Sequence, residues 1–526
     1  MNWLTLISLA GSIAAALLLV PLVRALFRRL GFVDKPDEDR KLHNKPISLG
    51  GGLAVLAAVL VGFAGTILYD RYLGSGELGF LSMRWYGLIA ATVAMLIVGM
   101  VDDIWLIRGR QKLLLQMLII SALVGSGTVV NRIGFFGFEL HLGSLAFPVT
   151  VLWLLIAVNA LNLIDGADGV ATTTGLFISL GLGVLCFEMN RPLGSVFAFC
   201  LAGSLMGFLA FNRPPASIFL GDAGSMVIGL LVGVLSIWSS VKESTIIASA
   251  PIAVLAIPLF DSAAAIVRRW LTGRSIYATD RAHLHHLLEK KYGQRGMLVL
   301  VAVLCGSTTS LAVISATLDK PWLAFVGIAA SATFLVVTRS FGHAECQLLL
   351  MKAQHMTRSF FITPQQSLIE KNHRCLSMQG NGDWKLVWEP LVEFAQDRQF
   401  SKVMIDLNLS WLHEGYHASW SAVRMPDRDL QLQVRWPLIV HVGQKQNRIK
   451  IGSLFVVARA DRPDVHEHLS ELSLWLADLE PQIQAVIGQL ERQHGNVSVT
   501  TSKPMVPRFA STESARENAP LAHVDS

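Results

Sequence analysis

The sequence predicts an all-α polytopic membrane bundle of about eleven transmembrane helices, followed by a soluble α+β domain. Three observations lead there. Of 526 residues, 52% are hydrophobic and only 16% are charged, whereas a soluble domain carries roughly 25% charged residues. Apolar runs near the length of a span recur at about 2–26, 47–69, 85–101, 112–130, 146–164, 170–189, 193–211, 223–240, 246–267, 296–316 and 322–338. From about residue 345 the composition turns polar and the periodicity shortens.

Taken in order, the first run has no basic residue before it, and Arg24, Arg28 and Arg29 follow its core. That polarity predicts an uncleaved anchor with its N-terminus outside the cytoplasm. An odd number of spans then puts the C-terminus inside. The short loops at 70–84, 131–145, 190–192, 241–245 and 317–321 face outward. Basic loops face inward, the first with Lys35, Arg40, Lys41 and Lys45, the last with Arg268, Arg269, Arg274, Arg281, Lys290 and Lys291. Arg132–Leu142 alternates around Gly137 as a small outward hairpin would. The membrane part is expected over 1–340 and a cytoplasmic α+β domain over 345–491. In that domain, helices are expected at 384–398 and 463–490, and strands at 400–407, 430–442 and 449–459. The tail 492–526 is polar and expected to be disordered. Five cysteines without CxxC spacing give no disulfide framework. A net charge of +6 without a basic stripe interleaved with aromatics gives no nucleic-acid footprint.

On this topology every polar cluster falls on the cytoplasmic face. Asn159, Asn162, Asp165 and Asp168 recur at three-residue steps in NALNLIDGADGVA, so a continuing helix would align them on one face. Asp102 and Asp103 end a membrane run, and as adjacent carboxylates their titrations are coupled. Lys112 and its neighbouring arginines supply counter-charge. In RKLHNKPISLGGG, Arg40, Lys41, His43 and Lys45 suit a phosphate, and Gly50–Gly52 allow tight packing at the next helix start. In FNRPPASIFLGDAGS, Asp222 alone reads as a helix cap. Together with Asn162 it could hold Mg²⁺, a cation that takes oxygen ligands and keeps substrate phosphates. In DRAHLHHLL, a helix would bring Arg281 near His285 and His283 near His286. Zinc is the rival ligand there, but a guanidinium beside the histidines favours phosphate. Carboxylates for a hard cation with Arg and His for phosphate point to phosphoryl transfer at the membrane surface.

With these motifs the chain resembles the polyprenyl-phosphate N-acetylhexosamine-1-phosphate transferases, over about Phe32 to Gly296. The marks are VDD at 101–103, GRQKLLLQ at 109–116, NALNLIDGADG at 159–169, FNRPPASIFLGDAGS at 211–225 and DRAHLHHLL at 280–288. The resemblance implies a bacterial inner-membrane enzyme that joins UDP-N-acetylhexosamine to undecaprenyl phosphate, GlcNAc being the favoured sugar. It implies Mg²⁺, with Mn²⁺ the alternative, on Asp222 and Asn162. It implies Phe219 stacked on uracil, Asn212 and Asp168 on the nucleoside, and Asn159 in the same substrate site. Asp165 would lie by the diphosphate. Arg281, His283, His285 and His286 would contact diphosphate or sugar, and Lys112, Arg40, His43 and Lys45 the lipid phosphate. Asp102 or Asp103 would be the general base. The C-terminal domain resembles a GAF-type sensor module. A membrane receptor or transporter with a cytoplasmic sensor is the competing reading, and it should show polar residues near mid-membrane and related halves. Whether the chain pairs as a homodimer is left open.

Overall fold

The computed structural model describes residues 3–34, 46–74, 76–135, 138–239, 249–272, 283–347, 349–350, 353, 373–379, 384–409, 412, 414–422, 425–442 and 447–494. It divides into two compact units, one running to Phe361 except for 37–41, the other from Ile362 onward.

The first unit is helical. Its helices are α1 Trp3–Arg29, α2 Gly51–Tyr72, α3 Met83–Trp105, α4 Gly109–Gly125, α5 Ala146–Ile164, α6 Val170–Glu188, α7 Pro192–Asn212 and α8 Gly221–Trp238. They are followed by α9 Ser249–Val254, α10 Ala256–Thr272, α11 Leu284–Thr317 and α12 Trp322–Val337. Two short antiparallel pairs interrupt them: β1 Val33–Asp34 with β2 Ile47–Ser48, and β3 Arg132–Phe135 with β4 Phe138–His141. The second pair is the hairpin the sequence predicts.

Each apolar run has helix over most of its length among the described residues. Among the described residues, eight helices are long and apolar enough to cross a membrane. The difference from eleven has local causes. Helices α4 and α12 are only 17 and 16 residues long. The run 246–267 breaks at Leu255 into α9 and α10. Pro258 lacks the N–H that would reach the carbonyl of Val254, and its ring crowds that turn.

Helix α8 is the axis of the bundle. It is apolar all round, and every residue from Ala223 to Ile237 is buried. Such a helix belongs inside a membrane protein rather than on its surface. Helices α2, α3, α5, α6 and α7 pack around it, and α1 packs outside against α2 and α7. The site lies where α8 begins.

The second unit is a five-stranded antiparallel sheet. Its strands are β5 His373–Gln379, β6 Lys402–Leu409, β7 Glu414–Ser421, β8 Gln431–Val442 and β9 Asn447–Arg459, in the order β5-β7-β6-β9-β8. The helices Lys385–Asp397 and Val465–His494 accompany it. Val403, Ile405, Leu407 and Leu409 alternate into a core shared with Trp384, Trp388 and Leu391. The sequence reading finds both helices and three of the strands; β5 and β7 are additions. In β7, Glu414-Gly415-Tyr416-His417 breaks the apolar alternation that marks a strand.

Candidate active site

Helix α3 delivers two adjacent carboxylates that do different things. Asp102 is 5% exposed. One of its oxygens accepts the N–H of Ile107 at 2.8 Å, closing the turn after α3, and the other meets the Lys112 ammonium at 2.7 Å. Asp103 points across to α8. Its carboxylate accepts the N–H groups of Asp222 at 2.8 Å and Ala223 at 3.2 Å. It therefore caps α8 from another helix and satisfies donors that a helix start leaves open.

Lys112 is the hub. Its Nζ donates to Asp222 Oδ2 at 2.9 Å and to Asn162 Oδ1 at 3.3 Å, besides pairing with Asp102. Asn162 in turn donates to Asp222 Oδ1 at 2.5 Å and to Ser225 Oγ at 3.0 Å. One turn on along α4 and one turn back along α5, Asn159 donates to Gln116 Oε1 at 2.9 Å. Gln116 is fully buried and also donates to Met226 Sδ at 3.4 Å. These rungs fix α4, α5 and α8 relative to one another. Four helices thus bring Asp102, Lys112, Asn162 and Asp222 to one point.

The acidic turn departs from the expected single helical face. Helix α5 ends at Ile164, and the left-handed Gly169 (φ +76°) precedes α6. Asp165 and Asp168 therefore lie on a turn, not along α5. Asp165 comes just after the span Gly143–Ile164. Burial, and then the charges of Asp222, Asp103 and Asp168, hold its carboxyl well above the usual range. Asp168 accepts the N–H of Ala216 at 2.9 Å and ties this turn to the α7–α8 loop. Asn212 closes the same loop, donating to Ile218 O at 3.0 Å and accepting from Thr172 at 2.7 Å. The backbone of Phe219 bonds Ser48 and Gly51, so this loop also rests on the start of α2. A Cβ on Gly52 would lie 2.4 Å from the Gly224 nitrogen, and one on Gly99 would lie 2.3 Å from Ala223 Cα. The start of α8 is clasped by backbone on two sides, as the Gly50–Gly52 run anticipates.

The histidine segment is also less helical than expected. His283 stands before α11 as its N-cap, with His285 and His286 in the first turn. His283 Nδ1 lies 3.2 Å from Asp261 Oδ2, and Asp261 Oδ1 accepts the Leu284 N–H at 2.8 Å. His285 is 2% exposed, and neither ring nitrogen has a hydrogen-bond partner among the described residues. A Cβ on Gly166 would fall 2.1 Å from His285 Nε2. The glycine therefore lets the histidine ring lie against the acidic turn, joining the two motifs. Arg40, His43, Lys45 and Arg281 lie outside the described residues. Among the described residues, no group of three or more His, Cys, Asp or Glu side chains is arranged to hold a metal.

Sequence reasoning misses three participants. Gln116 falls four residues after Lys112, the spacing of one helix face. Ser225 is hidden among small residues. Asp261 is a lone carboxylate in an apolar run, and an ionisable residue at that depth is itself a signal.

The model of glycosyl transferase family 4 matches residues 85–240. A probable undecaprenyl-phosphate N-acetylglucosaminyl 1-phosphate transferase of Bacillus subtilis (strain 168) is 30% identical over 315 residues, which are 59% of this chain and 85% of that protein. This chain belongs to glycosyl transferase family 4. A decaprenyl-phosphate N-acetylglucosaminephosphotransferase of Mycolicibacterium smegmatis is 31% identical over 343 residues, 60% of this chain and 83% of its own. The undecaprenyl-phosphate alpha-N-acetylglucosaminyl 1-phosphate transferase of Escherichia coli (strain K12) is 26% identical over 306 residues, 56% of this chain and 78% of its own. The family match takes in both carboxylates of α3, Lys112, the acidic turn and Asp222, while the histidine segment lies beyond it.

Proposed function

We propose that this chain transfers N-acetylhexosamine 1-phosphate, with GlcNAc as the favoured sugar, from a UDP-sugar to undecaprenyl phosphate and releases UMP. The observation that carries the reading is the meeting of Asp102, Lys112, Asn162 and Asp222 at one end of the bundle. The names of the family relatives support the donor and acceptor classes.

An oxygen of the lipid phosphate attacks the β-phosphorus of the UDP-sugar, and the bond to UMP breaks. A phosphate monoester has a second pKa near ~6, so the acceptor enters largely as a dianion. A base is then helpful rather than mandatory. Asp165, whose raised carboxyl favours its protonated form, donates a hydrogen bond to a diphosphate oxygen in this reading. Asp103 accepts the amides of α8 and Asp102 pairs with Lys112 and steadies it; one of these two carboxylates is the general base in this reading. Lys112 neutralises phosphate oxygens as negative charge moves between them. His285 lends unclaimed ring nitrogens beside the acidic turn, where a diphosphate or sugar oxygen would lie. Phe219, Asn212 and Asp168 frame the nucleoside end, with Asn159 behind them. Arg40, His43, Lys45, Arg281, His283 and His286 complete phosphate and sugar binding. An aspartyl-phosphate route would need Asp102 to leave Lys112.

Mg²⁺, with Mn²⁺ as the alternative, fits this donor set. Oxygens of Asp222 and Asn162 already converge on one ammonium, and Asp103 and Asp165 leave the surroundings short of positive charge. When bound, such a cation supplies charge neutralisation of the diphosphate. All eleven apolar runs cross the bacterial inner membrane in this reading, with the N-terminus outside and the site on the cytoplasmic side. Residues 345–491 act as an appended, GAF-like regulatory domain.

The deciding assay gives purified membranes several UDP-sugars with undecaprenyl phosphate and measures UMP and lipid product. Product from UDP-GlcNAc, abolished by chelator and restored by Mg²⁺, is expected. Asp222→Asn should lose about 10²-fold or more, as expected for a primary electrostatic group. Retention of more than roughly a tenth of the activity rejects that role.

A further inference from the structure

Asp261 is a carboxylate that takes no direct part in the proposed transfer. It sits in the largely apolar helix α10 and is fully buried. An ionisable side chain in such a place is expensive and needs a partner. Its partners stand at the start of α11. One oxygen accepts the N–H of Leu284 at 2.8 Å, and the other lies 3.2 Å from His283 Nδ1.

A cap alone does not account for this arrangement. His283 holds the N-cap position in extended backbone (φ −70°, ψ 155°), yet its side chain makes no capping hydrogen bond. A serine or aspartate at that position would satisfy the open amides from within the same helix. The chain instead keeps an imidazole there and supplies the acceptor for Leu284 from α10. The same carboxylate then meets the ring. A carboxylate has only acceptors, so the hydrogen of that contact belongs to Nδ1, and Nε2 keeps the lone pair. The ring of His283 lies within 3° of parallel to that of His285, with centroids 6.0 Å apart. The His285 ring in turn rests on the acidic turn at Gly166. Asp261 thus bears on both histidines. It holds the ring of one and the first turn of the helix that carries the other.

We propose that Asp261 is a positioning residue for the transfer, fixing His283 as the Nδ1–H tautomer so that Nε2 is the acceptor its ring offers the substrate. Asp261 acts through His283 and touches no substrate itself. This role rests on the transferase reading; the tautomer does not.

The test uses the full chain with ¹⁵N-labelled histidine in lipid bilayers, the His283 signal being identified by its loss in His283→Gln. At alkaline pH, where a free imidazole is neutral, solid-state NMR should find the ring hydrogen of His283 on Nδ1. Asp261→Asn can still accept from Leu284 through its amide oxygen, but it turns an N–H toward Nδ1. The ring hydrogen should then move to Nε2. UMP release should fall about tenfold or more, the low end for losing a group that orients a histidine. In a His283→Gln background the same substitution should cost nothing further, because two residues that act as one unit are not additive. A cap that serves only the fold would lower both backgrounds alike. The proposal is overturned if wild-type His283 carries its hydrogen on Nε2, or if Asp261→Asn leaves the tautomer or the turnover unchanged. It is also overturned if the loss is additive with that of His283→Gln. Should Asp261→Asn fail to fold, the wild-type spectrum still decides. Wild-type protein that releases no UMP defeats the transferase reading and leaves the NMR result standing.

Discussion

Asp165 illustrates what a single residue costs when it is kept for chemistry. Its carboxyl is held well above the usual range by burial and by three neighbouring aspartates. In the unfolded chain it ionises near pH ~3.9. The burial of this carboxyl therefore costs nothing below that value, and the cost grows as pH rises toward the raised folded value. Asp165→Asn removes the penalty. Its melting temperature in detergent with chelator should exceed that of the wild type, by a margin that is larger at pH 8 than at pH 5. A margin independent of pH contradicts the raised carboxyl. Most of the acidic residues were legible in the sequence, because carboxylates at span ends are expensive and so conspicuous. The work of Gly166 was not. A glycine in a turn reads as local freedom, and only the three-dimensional approach of His285 shows that the missing Cβ makes room for a ring from α11.

The same limit governs whole elements. Periodicity and length located the helices of the bundle, because the bilayer fixes how long an apolar run must be. It did not show that Asp103 serves α8. The adjacent pair Asp102-Asp103 invites a shared role, yet one carboxylate holds Lys112 and the other holds two backbone amides. The direction of a side chain around a helix end depends on a partner 119 positions away, which no local pattern encodes. Asp103→Ala should lower stability by about 0.5–2 kcal/mol, the range for losing a helix cap. Asp103→Asn, which keeps an acceptor oxygen, should recover part of it. Thermal unfolding of both variants checks this. An unchanged melting temperature for Asp103→Ala would mean that the cap contributes nothing.

For the whole molecule, the place where the chain is cut matters. The hydrogen-bond partners described for Asp102, Lys112, Asn162 and Asp222 all lie in the helical unit, so a chain ending at Phe361 should retain UMP release in detergent. A chain ending at Phe341 should not behave the same way. It would remove Glu345, which meets the buried Arg268 at 2.6 Å. Removing one partner of a buried ion pair costs about 3–5 kcal/mol. Folded yield and activity of the two truncations, compared at equal monodisperse amounts, separate the cases. A well-folded but inactive chain ending at Phe361 would make the second unit part of the catalytic machinery. The composition shifts near residue 345, sixteen residues before the first compact unit ends at Phe361. The Arg268–Glu345 pair ties residue 345 into that helical unit.

The cap from Asp103 to α8 also bears on how the chain is made. The ribosome adds about 5–20 residues per second. The 119 residues between the two partners therefore occupy it for on the order of ten seconds. Throughout that interval α3 is already in place, while the amides that Asp103 will hold do not yet exist. The four-helix cluster of Asp102, Lys112, Asn162 and Asp222 therefore cannot form before α8 is made, and His285 joins it only with α11. Nascent chains of an Asp103→Cys variant, stalled before Gly221 is made, should react with a membrane-impermeant thiol reagent from the cytoplasmic side. Chains stalled after α8 has entered the bilayer should be shielded. Equal labelling at both lengths would show that the cap forms only after synthesis is complete.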